Sequence, residues 1–245
     1  MMNRPDALNS LTDPMKDALR DGLADLARDE SVRAVVLTGA GRAFSAGQDL
    51  KEHLTKLGGS EPPLSTVTEH YNPIVIALAS MPKPTIAAVN GMAAGAGASF
   101  AYACDFRIAA QSAKFLLAFA NIGLSVDSGA SYHLPRLIGQ AKALETMLLA
   151  KPVTAQEALA SGMVGEVVPD ADLANYVQEF ATKLAAGPTA AYGMIKQAVQ
   201  FAASHDLAQS LAREGELMGR SGQTQDHAAA VAAFVAKEKA TFTGA

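Results

Sequence analysis

The sequence predicts an α/β fold that ends in a helical region, and three features support this prediction. Short apolar, β-branched runs such as 33–38 and 85–90 alternate with segments of helical periodicity. A glycine- and alanine-rich turn comes after each of these two runs, as expected where buried strands lead into helices. From Ser128 onward the pattern is mostly helical. We therefore expect a strand–helix core followed by helices.

The individual elements follow from local signals along the chain. Thr12 or Asp13 can cap the first helix, and Pro14 suits its first turn. Small residues open a later helix near residue 95, where its N-terminal amides can come close to a ligand. The predicted helices cover 11–29, 64–80 and 95–103, and the predicted strands cover 33–38, 85–90, 105–109, 114–117 and 164–168.

Composition and charge limit the classes of protein that fit. The chain has 245 residues, of which 49% are hydrophobic and 18% charged, so it can bury an extensive core. Its net charge of −4 weighs against nucleic-acid binding. The single cysteine forms no intrachain disulfide, and the five scattered histidines predict no metal site. No apolar run reaches the roughly 20 residues that span a bilayer, so a cytoplasmic protein is expected.

The two glycine- and alanine-rich turns, at 44–50 and 90–99, are the strongest functional signal. Backbone N–H groups exposed at two such turns can converge on one oxygen atom and stabilise it as it becomes negative. Such an arrangement is an oxyanion hole, so the sequence predicts chemistry at a carbonyl or thioester group. Tight packing of a strand against a helix is the alternative explanation for these glycines.

Seven ordered motifs, which extend over essentially the whole chain, resemble the crotonase (enoyl-CoA hydratase/isomerase) superfamily. The resemblance implies a spiral of repeated ββα turns over residues 1–185, with a coenzyme A thioester site. Residues 186–245 would form a helical C-terminal region that assembles the chain into homotrimers or homohexamers. The motifs are 3–9 (NRPDALN), 43–51 (AFSAGQDLK), 83–97 (KPTIAAVNGMAAGAG), 103–107 (ACDFR), 133–139 (HLPRLIG), 155–164 (AQEALASGMV) and 235–244 (VAKEKATFTG).

The same resemblance implies roles for individual residues. The amides of Ala46 and Ala96 match the oxyanion hole. Coenzyme A enters as part of the acyl-CoA substrate, so no separate cofactor is implied. Lys51, Lys237 and Lys239 are candidate partners for the CoA phosphates. The positions that match the substrate and CoA path are Ala7, Leu8, Ala46, Gly47, Gln48, Asp49, Leu50, Gly95, Ala96 and Phe119.

The two glutamates with which this superfamily hydrates a double bond would align with Ser99 and Phe119. Serine is a poor base and phenylalanine is none, so two-glutamate hydration is disfavoured. The remaining acids in this part of the chain are Asp105, at a position that is usually structural in the superfamily, and Asp127. Members with aspartate at the Asp127 position include ring-opening isomerases that act on 1,2-epoxyphenylacetyl-CoA. One carboxylate suffices for an isomerase, because it can remove a proton from one carbon and return it to another.

Two other functions remain open: an enoyl-CoA hydratase of fatty-acid breakdown, and a catalytically silent CoA-thioester binder. Asp127 could also cap the helix that follows it, with or without a catalytic role. Asp49 is expected to order its loop, and Ser99 to lie on a helix surface. A halobenzoyl-CoA dehalogenase is disfavoured, since its supporting Trp and His are absent and Ile76 stands in the matching stretch.

The first motif follows directly on Met1 and Met2. Members of the superfamily have one or two strands before this motif, and the loss of a strand would expose unpaired backbone at the edge of a sheet. A translation start assigned too far downstream is therefore expected.

Overall fold

The computed structural model describes residues 1–57 and 64–245. Its described strands are short and form two sheets of four strands each. They are β1 (Val35–Thr38), β2 (Ala43–Ser45), β3 (Thr85–Val89), β4 (Met92–Ala94), β5 (Phe106–Ala110), β6 (Lys114–Leu116), β7 (Val153–Thr154) and β8 (Glu166–Val168).

Strands that follow one another in the chain alternate between the two sheets through β6. One sheet has the order β1–β3–β5–β8 and is parallel throughout. The other has the order β2–β4–β6–β7, and its last pair is antiparallel. Each of the pairs β1–β2, β3–β4 and β5–β6 therefore gives one strand to each sheet. With helices between these pairs, the chain forms the repeated ββα spiral that the resemblance implies.

The helices connect the strand pairs and then continue to the end of the chain. The helix α8 packs against β3 and β5, and α9 packs against α10. The helix α8 ends at Ala185, and the division of the chain after residue 185 stays a prediction. Among the described residues, no helix combines the length and the apolar character needed to cross a membrane. The helices are α1 (Asp13–Arg28), α2 (Leu50–Lys56), α3 (Asn72–Ser80), α4 (Ala96–Ala103), α5 (Ala130–Ile138), α6 (Gln140–Leu149), α7 (Ala155–Ser161), α8 (Leu173–Ala185), α9 (Thr189–Ala202), α10 (Leu207–Ser221) and α11 (Gln225–Ala236).

The core includes strand β3, in which all five residues are buried. A parallel strand covered on both faces has this unbroken apolar pattern. Its one polar side chain, Thr85, has its hydroxyl bonded to the Asp105 carboxylate at 2.9 Å. Asp105 therefore has the structural role expected of it, and it also pairs with Lys196 of α9 at 2.7 Å.

The predicted elements agree with the observed ones to within a few residues, with four omissions. The segments predicted as turns contain the strands β2 and β4, which are too short to show an alternating pattern. The sequence also gave no signal for α2 or for the two-residue β7. The predicted helix over 64–80 is interrupted, because a π-helical segment, Val67–Tyr71, precedes α3.

Two isolated parallel bridges join the N-terminal segment to the first strand pair. Met2 pairs with Gly39 beside β1, and Leu11 pairs with Gln48 just after β2. The second bridge fixes the loop at 46–49, which the sequence marked as functional.

Candidate active site

Two backbone turns meet where the parallel strands β2 and β4 end. Ser45 lies opposite Ala93 in this pair, and just beyond it a β-carbon at Gly47 would lie 3.5 Å from the amide nitrogen of Ala96. The turn is tight at Gly47, which has a φ of +81°. A β-carbon at Gly47 would lie 2.7 Å from the carbonyl oxygen of Ala94, so only glycine fits there.

Two amides at this meeting point have no partner in the described protein. The N–H groups of Gln48 and Ala96 donate no hydrogen bond within residues 1–57 and 64–245. The Ala46 N–H, in contrast, donates to the carbonyl oxygen of Leu8 at 2.9 Å. The prediction that Ala46 supplies an oxyanion donor is therefore wrong, because its amide is already bonded. The N–H of Gly47 donates to the Ser45 hydroxyl oxygen at 3.2 Å and that of Asp49 to the Leu11 carbonyl oxygen at 3.1 Å, which leaves Gln48 as the candidate donor in this loop.

The second candidate donor, Ala96, is the first residue of α4. The first amides of a helix lack acceptors within the helix and form an electropositive end. Gly95 precedes it with a φ of +50°. Ser99 was expected on the helix surface but is buried, and its hydroxyl donates to the Gly95 carbonyl oxygen at 3.2 Å. Ser99 therefore stabilises the turn that presents the Ala96 N–H.

A cavity of about 180 Å³ lies beside these two amides. Its walls are largely apolar, and Asp127 is the only carboxylate among the described residues that line it. Seven residues predicted for the site, namely Ala46, Gln48, Leu50, Gly95, Ala96, Phe119 and Asp127, all line this cavity. The other lining residues are His53, Leu64, Thr66, Tyr71, Ala94, Ala118, Asn121, Ile122 and Leu124.

Asp127 lies in the turn before α5 and does not cap that helix. The N-cap position belongs to Gly129, and no side chain there bonds to the first helical amides. One carboxylate oxygen of Asp127 accepts a hydrogen bond of 2.7 Å from the Ser128 hydroxyl. Burial raises the pKa of Asp127 above its ordinary value, and the hydrogen bond from Ser128 opposes that shift. The carboxyl group is thus closer to the protonation balance that acid–base catalysis requires.

Other predicted binding residues shape the loop without lining the cavity. Asp49 caps α2 and accepts hydrogen bonds of 2.9 Å from both Arg4 and Ser10. The hydrogen bond from Arg4 is the main cause that lowers the pKa of Asp49 to about 2. Asp49 therefore orders its loop, as expected. Leu8 contributes its carbonyl oxygen to the bond with the Ala46 amide.

The remaining predicted residues lie near the loop or at the surface. Ala7 ends a short 3-10 turn, Pro5–Ala7. Lys51 is exposed in the first turn of α2, next to Leu50. Lys237 and Lys239 are exposed after α11. Their proposed contact with CoA phosphates stays a prediction.

Sequence reasoning missed Tyr71, which lies at the back of the cavity. It ends the π-helical segment before α3, and such irregular turns are frequent at functional sites. Burial and, to a smaller extent, the negative charge of Asp127 raise the pKa of Tyr71. The phenol therefore stays protonated, and it donates a hydrogen bond to the side-chain oxygen of Gln48. The helical periodicity of 64–80 gave no sign of this irregular turn.

Within residues 1–57 and 64–245, no group of three or more His, Cys, Asp and Glu side chains is placed to hold a metal ion. The donors that the geometry offers to a substrate oxygen are backbone amides at a helix N-terminus and an adjoining loop.

Comparison with known proteins assigns this chain to a family. The family model described as enoyl-CoA hydratase/isomerase matches residues 1–245. The chain therefore belongs to the enoyl-CoA hydratase/isomerase family, within the crotonase superfamily, and is an acyl-CoA enzyme of that family.

Individual relatives differ in the activity that their names give. The chain is 43% identical to the 1,2-epoxyphenylacetyl-CoA isomerase of Escherichia coli K12 over 244 residues, which is 99% of this chain and 93% of the relative. It is 44% identical to a probable enoyl-CoA hydratase of Rhodobacter capsulatus over 243 residues, with the same two shares. The crystal structure of an enoyl-CoA hydratase from Bacillus anthracis matches with a TM-score of 0.92 and 33% identity, over 99% of this chain and 93% of that one.

The Ala96 amide can be removed without breaking α4, because proline is tolerated at the first position of a helix. We expect Ala96→Pro to lower kcat by about 10²–10³-fold, the usual effect of losing one oxyanion donor. Steady-state kinetics on an enoyl-CoA substrate measure this effect. The control, Ala96→Gly, keeps the N–H and should stay within a few-fold of wild type. Equal losses in the two variants would contradict the role of the amide.

Asp127→Asn should stabilise the protein at neutral pH. Because the native pKa of Asp127 is raised, the ionised carboxylate is less stable in the folded chain than in the unfolded chain, and this destabilisation grows as pH rises through the carboxyl range. The gain in Tm from Asp127→Asn should therefore be largest near pH 7 and shrink toward about pH 4. Asp25→Asn, on an exposed carboxylate, is the control. A lower Tm for Asp127→Asn than for wild type at pH 7 would contradict this prediction, because it would show that the fold stabilises the ionised carboxylate of Asp127.

Proposed function

We propose that the protein is an acyl-CoA isomerase, which shifts the double bond of an enoyl-CoA or isomerises an epoxide- or oxepin-type ring. The observation that supports this most directly is that Asp127 is the only carboxylate among the described residues of the cavity. Hydration by two glutamates requires two such groups, whereas isomerisation requires one. The similarity to the Escherichia coli isomerase agrees with this choice.

The thioester oxygen would bind between the N–H groups of Gln48 and Ala96. As a proton leaves the acyl chain, negative charge moves onto this oxygen and a dienolate forms. Two preorganised donors stabilise that charge in a site from which much of the water is excluded, and each donor typically contributes about 2.7–4 kcal/mol to lowering the barrier. The positive end of α4 adds to the same effect.

Asp127 would act as both base and acid. In a 3-enoyl-CoA, its carboxylate removes a proton from C2, and the electron pair of the broken C–H bond moves into the dienolate. The carboxylic acid then returns the proton to C4, which gives the 2-enoyl-CoA and restores the carboxylate. The raised pKa of Asp127 favours this cycle. It lowers the free energy of the carboxylic acid that forms during the cycle, compared with that of a solvated carboxyl group.

A hydratase is the second candidate, and two observations favour it. The Rhodobacter capsulatus relative is named a probable enoyl-CoA hydratase. His53 also lines the cavity, so water addition could use His53 together with Asp127 as its two proton-transfer groups. A silent CoA-thioester binder is the third candidate, with the fold and the two amides intact but no turnover.

We further propose that the chain assembles as a homotrimer or homohexamer through its C-terminal helices. Exposed apolar side chains of this kind are usually covered in a homo-oligomer. Sedimentation velocity on the intact chain tests the proposal, and a monomer at micromolar concentration would contradict it. The side chains concerned are Ile195, Val199, Leu211, Met218, Phe234 and Val235.

The test of function supplies 3-enoyl-CoA and 2-enoyl-CoA separately and follows isomerisation and hydration by absorbance. We expect wild type to isomerise, and Asp127→Asn to lose about 10²–10⁴-fold in kcat while it still binds CoA thioesters. Unchanged isomerisation in Asp127→Asn would overturn the assignment of the acid.

A matched variant, His53→Asn, separates the candidates. Hydration of 2-enoyl-CoA that is lost in both variants supports the hydratase, and isomerisation that is lost only in Asp127→Asn supports the isomerase. Binding of CoA thioesters without turnover of either substrate supports the silent binder.

A further inference from the structure

A fully buried ammonium group lies behind the cavity. Lys16 is in the first turn and a half of α1, and its side chain has 0% exposure. An unpaired buried charge is strongly destabilising, so the partners of this group indicate its purpose. Its Nζ forms an ion pair with Asp13 Oδ1 at 2.6 Å. It also donates hydrogen bonds to Thr66 Oγ1 at 2.9 Å and to Gln48 Oε1 at 3.4 Å.

The acidic partner of this ion pair stays ionised in the fold. Burial opposes ionisation of Asp13, but hydrogen bonds from Lys16 and Lys56 outweigh it and lower the pKa of Asp13. Glu52 Oε1 lies 3.6 Å from the Lys16 Nζ and adds a second negative partner. The two neutral partners of Lys16, Thr66 and Gln48, line the cavity.

The Gln48 side chain is held at both ends of its amide group. Its Oε1 accepts hydrogen bonds from the Tyr71 hydroxyl and from Lys16. Its Nε2 donates to the backbone oxygen of Asp49 at 3.3 Å. Tyr71 is itself fixed, with 2% exposure and an edge-on contact with Phe100 at 5.8 Å between ring centroids. The amide therefore has little freedom to rotate.

The backbone on both sides of Gln48 is also held by hydrogen bonds. The bridge between Leu11 and Gln48 bonds the carbonyl of Gly47 and the amide of Asp49, on either side of the free Gln48 N–H. With the side chain anchored as well, rotation of the peptide plane that bears this N–H is restricted through both the backbone and the side chain. A hydrogen-bond donor that is held in place before the reaction does not have to reorient as the oxyanion forms, so little reorganisation energy is required.

We propose that Lys16 is a positioning residue for the oxyanion hole: together with Tyr71 it holds the Gln48 side chain, and thereby directs the Gln48 N–H at the thioester oxygen. Lys16 does not contact the substrate in this arrangement. The inference rests on the proposed function for the oxyanion hole, but it does not depend on which reaction follows.

The test therefore measures polarisation of a carbonyl that cannot react. Hexanoyl-CoA with a ¹³C-labelled thioester carbonyl is bound to the intact protein, and the infrared C=O stretch is recorded. We expect wild type to lower the stretching frequency relative to free ligand. Lys16→Met should lose at least half of that shift, with affinity within a few-fold of wild type.

Lys56→Met is the matched control, since Lys56 pairs with the same Asp13 but not with Gln48. It should keep the shift. Gln48→Leu retains its backbone N–H but loses both side-chain anchors, so it should reproduce the effect of Lys16→Met even if that variant folds poorly. In the double variant of Lys16 and Gln48 the two losses should not add, because both act through one side chain.

The outcomes separate this inference from the proposed function. A full shift in both Lys16→Met and Gln48→Leu overturns the role of Lys16, and so does the absence of a shift in wild type. A wild-type shift that depends on Lys16, in a protein that does not isomerise 3-enoyl-CoA, supports the positioning role and contradicts the proposed isomerase.

Discussion

The parallel bridge between Leu11 and Gln48 is the contact on which the candidate site depends. The N-terminal segment accepts hydrogen bonds from the Ala46 and Asp49 amides, whereas the Gln48 N–H has no partner among the residues that the structure describes. The strands β2 and β4 run parallel, so the loop after β2 lies beside the first turn of α4, which follows β4. The two unpaired donors thus come from segments nearly fifty residues apart, and the fold is what brings them together.

Much of this arrangement could be predicted from the sequence. The glycine-rich turns at 44–50 and 90–99 marked the two loops, and the motifs identified the family that the comparison confirms. The choice between Ala46 and Gln48 could not be predicted in the same way. Whether the amide of Ala46 or that of Gln48 is free depends on how this loop pairs with residues 8–11. The local sequence does not indicate that register.

The surroundings of the site were harder to foresee for the same reason. Tyr71 reaches the cavity because the helix is locally unwound into a π turn, and Lys16 reaches Gln48 from a helix that begins over thirty residues earlier. Asp127, in contrast, could be identified by its sequence position. Burial raises the pKa of Asp127, and the apolar residues near it in the sequence predict only the direction of this shift. The site thus combines a predictable acid with donors that only the folded chain defines.

The most direct measurement is a crystal structure of the Asp127→Asn variant with a bound 3-enoyl-CoA. The account predicts a thioester oxygen about 2.7–3.1 Å from the amide nitrogens of both Gln48 and Ala96, with the acyl chain extending past residue 127. A thioester oxygen that contacts neither amide, or an acyl chain directed away from residue 127, would contradict it.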